Sequence, residues 1–556
     1  MYEVPAPRQG HPLRTALLVV GLVVGSILLL CGGSMGMVWL VDRNTTTHPA
    51  LWRIEHAGGQ VWYQEVDESE EADDQPAPTS STTTHDEEEV EDTVASPWVA
   101  DGMRYSNEPT GPPIGVSLSG CELDYGMLAQ IGTMGDLVDL RLDNTDVSDD
   151  DLPRLASLSK LQILSLTGTQ VTDRGLAWLA NLKSLKTLDL GNTKVRGSGL
   201  NYLADLPSLK YLSLWQCNLD PGDCHGLADL ESLESLTLAN TPADDTLAGH
   251  LARLFRLRHL GLGETLITDA GLSHLAKLRA LRSLYLDGTR VTGPGLASFR
   301  QLTRLESLLL DRTPLVADGL VGLPKLPALA YLSLTQTGIG DAAVPSLQRC
   351  PKLTTLNLRD TETTGAGFTA LASLPLESLY LSGSPIDDQG LAEIAKLNSL
   401  AHLALSDTSV TDVGLSQLAS LAKLGTIELC NTRISDAGLK DLARLPLLDS
   451  LDLEGTAITD VGIGELARAK KLNWLDISRT AISDAGIKKL MALTEIAQIR
   501  AVETRITPRG QIEFNRRHPD VLETRDDDAE ESEPADESDT EANPSETEAT
   551  IEADDS

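Results

Sequence analysis

Residues 161–185 read LQILSLTGTQVTDRGLAWLANLKSL, and nearly the same 24 residues recur from about Pro113 to Val521. Leu137, Leu161, Leu185, Leu209, Leu233, Leu257, Leu281, Leu305, Leu329 and Leu353 open successive units at that constant step. One unit is a residue shorter, and Leu376, Leu400, Leu424, Leu448, Leu472 and Ile496 carry the register onward. A period of this length means a solenoid, in which each unit buries its apolar side against its neighbours and not within itself.

Two periodicities follow one another inside a unit. Leu161, Leu164 and Leu166 give LxxLxL, whose last part alternates apolar and polar residues as a short half-buried strand does. Leu176, Leu179, Ala180 and Leu182 then form the apolar stripe of a helix. Asp173 precedes that stripe, with equivalents at Asp149, Asp245, Asp269, Asp341, Asp388, Asp412, Asp436, Asp460 and Asp484. An Asp in this place is expected to cap the free amides of its own helix.

The consensus LxxLxLxxTxVTDxGLxxLAxLxx resembles the leucine-rich repeats, and is similar to the subtype found in F-box proteins and many bacterial repeat proteins. The resemblance covers close to three quarters of the chain. It implies an α/β fold, a right-handed solenoid or horseshoe with a concave parallel sheet and convex helices. It implies little about function, since this scaffold hosts many partners. No F-box-like helical segment precedes the repeats, so a role in ubiquitin ligation is not implied.

The net charge of −37 belongs mostly to two segments. Residues 65–92 hold 13 acidic residues, residues 526–556 hold 15, and neither holds Lys or Arg, so 28 of the 37 charges lie outside the repeats. Such stretches cannot bury enough apolar area to fold. Nothing in the sequence marks a phosphate-neutralising stripe, and nucleic acid is not an expected partner. The six cysteines, Cys31, Cys121, Cys217, Cys224, Cys350 and Cys430, make no metal pattern and fit small apolar positions. Spacing alone leaves a Cys217–Cys224 disulfide open.

The expected organisation is a short cytoplasmic segment at 1–14, a transmembrane signal anchor at 15–41 and a juxtamembrane segment with a small hairpin at 42–64. An acidic disordered linker at 65–96 leads to the capped repeat domain at 97–521 and a disordered acidic tail at 522–556. Residues 15–41 run 27 positions without a charge, long enough to cross a bilayer. Arg8 and Arg14 ahead of the run favour a cytoplasmic N-terminus and place the repeats outside the cytoplasm. A cleaved signal peptide is the other reading of this segment.

No catalytic, cofactor or metal site is expected. The ten histidines are scattered, and His250, His259 and His274 fall on different sides of the coil. The third, fifth and seventh residues of each unit project from the strand away from the core. Among these, Tyr211, Trp215, His259, Tyr285, Tyr331, Arg359, Tyr380, His402, Asp452, Trp474 and Asp476 stand out against a background of small polar residues. Amphipathic aromatics on such a face are typical of protein-binding surfaces, whereas Trp178, on the helical side, is expected to pack. The function expected is a non-enzymatic, membrane-anchored scaffold holding an unidentified protein or peptide on its concave face. The alternative is an architectural rod of the cell envelope without a specific ligand.

Overall fold

The computed structural model describes Ile54 and residues 57–64, 105–106, 113–124 and 126–524. The chain divides into Met1–Pro49 and Ala50–Ser556. The segment 1–14, the anchor 15–41, the linker 65–96 and the tail beyond Thr524 lie outside the described residues. Among the described residues no helix is long and apolar enough to cross a membrane.

Within Ala50–Ser556 the described strands form one 20-stranded sheet whose ends do not pair with each other, an open solenoid. From Pro113–Ser117 to Leu522–Glu523 each strand runs parallel to the next in chain order. The 24-residue step sets the register: Leu140 lies beside Leu164, which lies beside Leu188. Most strands are only three residues long, and their central leucines are fully buried. At the first edge Gln60–Gln64 runs antiparallel to Pro113–Ser117, and most of the hairpin expected at 42–64 lies outside the described residues. At the far edge Phe514 is buried, and Asn515 Oδ1 accepts from Leu522 N at 3.1 Å.

Each strand ends in a tight corner. The residue before the recurrent Thr takes a left-handed conformation, as Asn144, Asn192 and Asn431 do with φ of 54°, 50° and 55°. Asn tolerates that region better than most residues. The Thr behind it turns inward, and Thr169, Thr193 and Thr265 donate their hydroxyls to the carbonyl three residues back at 2.6 Å. Cys217 stands in for this Thr, its thiol donating to Leu190 O at 3.0 Å. Cys217 and Cys224 are both free thiols, not a disulfide.

The helix expected on the outer side of most units is an α-helix in some and a 3₁₀ turn in others. Helices such as Asp388–Ile394 and Asp412–Leu418 are α-helical over seven residues. Among the described residues seven other units carry 3₁₀ turns instead. Pro153, Pro294 and Pro345 fall in the first turn of three of these. Proline does not decide the choice, since the other four 3₁₀ turns lack it and Pro508 opens the α-helix Pro508–Asn515. Trp178, expected to pack, is 44% exposed.

The recurrent Asp also does something other than cap its own helix. The caps are the residues just before it, for example Thr268, Thr411, Ser435 and Ser483. The carboxylate reaches forward to the next unit. Asp388 accepts from Thr411 N and Oγ1 at 2.8 and 2.6 Å, and Asp460 accepts from Ser483 N and Oγ at 2.8 and 2.5 Å. Asp173 accepts instead from amides alone, including that of Gly199, and Asp269 adds the amides of Gly293 and Gly295 to Thr292 N and Oγ1. All ten of these aspartates make such a bond. The Gly of TDxGL leaves the space: a Cβ on Gly438 would stand 2.6 Å from Asp412 Oδ1. The motif is therefore a clamp between successive units, with Thr or Ser as donor, Asp as acceptor and Gly as clearance.

Candidate functional site

The open face of the sheet is built by the strand alternation. Leu212 and Leu214 are buried at 2% and 0% exposure, while Tyr211 and Trp215, which flank them, are half-buried on the other side. All eleven expected residues occupy this face or the position just past the strand end. Ten of them fall into three groups, and the eleventh, Tyr331, has Ser307 and Thr355 as its register neighbours.

In the first group, Tyr211 pairs in register with Thr187 and Ser235. The Trp215 ring covers Gly191 so closely that a side chain there would collide with the indole. His259 Nδ1 lies 3.1 Å from Ser283 Oγ, and Tyr285 stands between Gly261 and Leu309. Burial and the charges of Arg282 and Arg258 push the His259 pKa below its ordinary value.

The second group is continuous. The Arg359 guanidinium lies 4.7 Å over the Tyr380 ring, whose centroid is 4.8 Å from that of His402. Glu428 closes the set, 2.9 Å from His402 Nε2 and 3.3 Å from Arg359. Burial works against its ionisation, yet the His402 contact and the Arg359 charge outweigh it and hold the Glu428 pKa below the usual range. Burial first, and then Glu428, raise the pKa of Tyr380.

Asp452, Trp474 and Asp476 make the third group, joined by Cys430 and Glu454. Glu428, Asp452 and Asp476 occupy the same strand position in three adjacent strands. Burial and then the charges of Asp476, Glu454 and Glu428 push the Asp452 pKa to about 7. Asp476 is raised too, chiefly by burial. Glu428, Cys430 and Glu454 were not singled out in the sequence, although the three-five-seven frame contains them as it contains Asp452 and Asp476.

Among the described residues Cys430, Asp452 and Glu454 offer three donor atoms within 4.8 Å of one another. The Cys430 thiol donates to Glu454 at 3.6 Å, and Arg479 Nε holds the other Glu454 oxygen at 2.7 Å. Burial and the neighbouring carboxylates push the thiol to about 12. It stays protonated at neutral pH and is a weak ligand in that form. His250 and His274 lie in the helices Asp245–Leu251 and Asp269–Leu275, whereas His259 projects from the sheet.

Profiles described as leucine rich repeat match residues 159–219 and 373–395. The chain is a leucine-rich repeat protein. Those profiles leave the F-box-associated subtype unspecified. A leucine-rich-repeat protein of Leptospira interrogans is 20% identical and superposes with a TM-score of 0.55, over 72% of this chain and 99% of its own. A chain of the mouse RP105/MD-1 complex is 19% identical with a TM-score of 0.56, over 73% of each chain. Both likenesses are of fold. No curated relative matches the sequence.

Proposed function

We propose that this leucine-rich repeat protein is a non-enzymatic scaffold, anchored in a membrane through residues 15–41, that holds a protein or peptide on the open face of its sheet. The observation that carries the binding role is the Arg359–Tyr380–His402–Glu428 set. Side chains from four successive units are organised there on a face whose small neighbours leave it open. Half-buried aromatics held in place by such contacts lose little entropy on binding, which is what a protein-recognition surface needs. The uncharged run at 15–41 and the basic residues ahead of it support the anchor and an extracytoplasmic repeat domain.

The test is crosslinking capture on intact cells, comparing the full chain with an Arg359→Ala/Tyr380→Ala/His402→Ala variant and with a Tyr211→Ala/Trp215→Ala/Tyr285→Ala variant, the fold of each checked by circular dichroism. We expect at least one partner to be lost selectively, by about tenfold or more, as removal of central aromatics does at protein interfaces. Capture unchanged in both variants refutes the recognition face and favours the rod, whose regular Asp clamps suit a stiff spacer.

A further inference from the structure

The turns that lead from each outer helix back to the next strand form one edge of the solenoid, and over five successive units that edge is basic. The stretches 251–260, 275–284, 299–308, 323–332 and 347–356 hold eleven Arg and Lys and a single carboxylate, Glu306. The net charge of −37 hides this band. Like positions of adjacent units reach one another there, since Arg258 meets Glu234 at 2.9 Å and Arg282 meets Glu306 at 2.9 Å. Arg253 lies 3.9 Å from Asp229 and 4.0 Å from Glu231, and Arg349 donates to the carbonyls of Val321 and Leu323. The other cations are left over. Arg256, Lys277, Arg279, Arg304, Lys325 and Lys352 are exposed and have no ion pair among the described residues. Like charges gathered on one edge repel, so the band is most stable with something anionic along it.

An anionic stretch of this chain leaves the fold at that same edge. Gln60–Gln64 runs antiparallel to Pro113–Ser117 with Tyr63 opposite Pro113, so Gln64 lies at the end where the repeat strands begin. Tyr105 pairs with Gln64 there. Residues 65–104 are therefore pinned at both ends beside the first repeat and do not tether the repeats to what precedes them. They carry 13 carboxylates and no Lys or Arg within 65–92, six of them in the run DEEEVED at 86–92. The band begins beside the strand His259–Gly261, six strands from Pro113–Ser117, a distance of about 29 Å at about 4.8 Å per strand. Residues 93–104 span up to about 40 Å when extended, so the run at 86–92 can reach it.

We propose that this basic edge docks the chain's own acidic segment, with the run at 86–92 lying along Arg256, Arg279 and Arg304. Charge complementarity carries it, together with the place where the segment leaves and rejoins the fold. The tail at 526–556 is as acidic, but it follows Leu522–Glu523 at the other end of the sheet. Each exposed ion pair is weak and screened by salt, so the docking is a sum of many contacts and is released at high ionic strength. The edge is distinct from the open face, and the docking is independent of any partner held there.

Carbodiimide condenses a carboxylate with a lysine amine and leaves no spacer, so it reports direct contact. The full chain in detergent is crosslinked at about 0.05 M and about 0.5 M salt, and the joined peptides are mapped by mass spectrometry. We expect bonds from 86–92 to Lys277, Lys325 or Lys352, at least about fivefold fewer at the higher salt. Arg256→Glu/Arg279→Glu/Arg304→Glu keeps all three lysines and alters only exposed side chains. It is expected to lose the bonds to the same extent at low salt, with an unchanged circular dichroism spectrum. Arg516→Glu/Arg517→Glu, at the far cap, is expected to change nothing. The salt comparison needs no variant and stands if the triple variant misfolds. The proposal is overturned by crosslinks from these lysines to 526–556 in place of 86–92, or by crosslinks found only between two copies of the chain. Equal yield at both salts, equal yield in a folded triple variant, or no crosslink at all overturns it as well.

Discussion

Asp412→Ala is expected to lower the stability of the repeat domain by about 2 kcal/mol, and Gly438→Ala by about 1–3 kcal/mol, with the two together costing clearly less than their sum. Asp412 accepts from Ser435 N at 2.9 Å and from Ser435 Oγ at 2.5 Å, both part-buried. Removing the carboxylate strands two donors of the next unit, each worth on the order of 1 kcal/mol net and more when the acceptor is charged. A Cβ on Gly438 would meet Asp412 Oδ1 at 2.6 Å and Leu415 Cδ1 at 2.9 Å. With Asp412 gone the first collision disappears and only the second remains. Solenoids fray by units and are not strictly two-state, so urea melts are best paired with hydrogen exchange. The clamp predicts that Asp412→Ala exposes amides of the following helix, Asp436–Leu442. A cap would instead loosen Asp412–Leu418. Strict additivity, or loss of protection confined to Asp412–Leu418, rules out the clamp.

That distinction shows where the sequence stopped being readable. The period, the buried leucines and the strand frame were all explicit in it, because a solenoid repeats the same local pattern and every copy confirms the others. The eleven face residues followed from alternation alone. The clamp did not. A residue 23 positions ahead looks like the same residue in the next copy, so contacts within a unit and between units leave one signature. The mixture of α and 3₁₀ turns was not legible either, since Pro153, Pro294 and Pro345 mark three 3₁₀ turns but Pro508 opens an α-helix. The Arg359–Glu428 contact spans 69 residues and depends on how far two long side chains reach across intervening strands, which no spacing rule encodes. The exposure of Trp178 is a similar case, since an outer helix of four residues covers too little surface to bury an indole.

Asp452→Asn is expected to stabilise the protein, and to do so increasingly as pH rises. The folded chain holds the Asp452 proton up to about pH 7, against an ordinary carboxyl value of 3.8. The folded state therefore binds this proton more tightly than the unfolded state does, and the resulting stabilisation is full below about pH 4. It fades as pH climbs from there to about 7, and beyond that the buried charge weighs fully against folding. The displacement sets a ceiling of about 4 kcal/mol; solvent contact at this half-buried position reduces the expected gain to about 2 kcal/mol. Asparagine keeps the shape and the acceptor for Glu454 N without the charge, so urea melts should show little gain at pH 4 and the full gain at pH 8. A gain independent of pH, or a loss, means that the charge is already compensated.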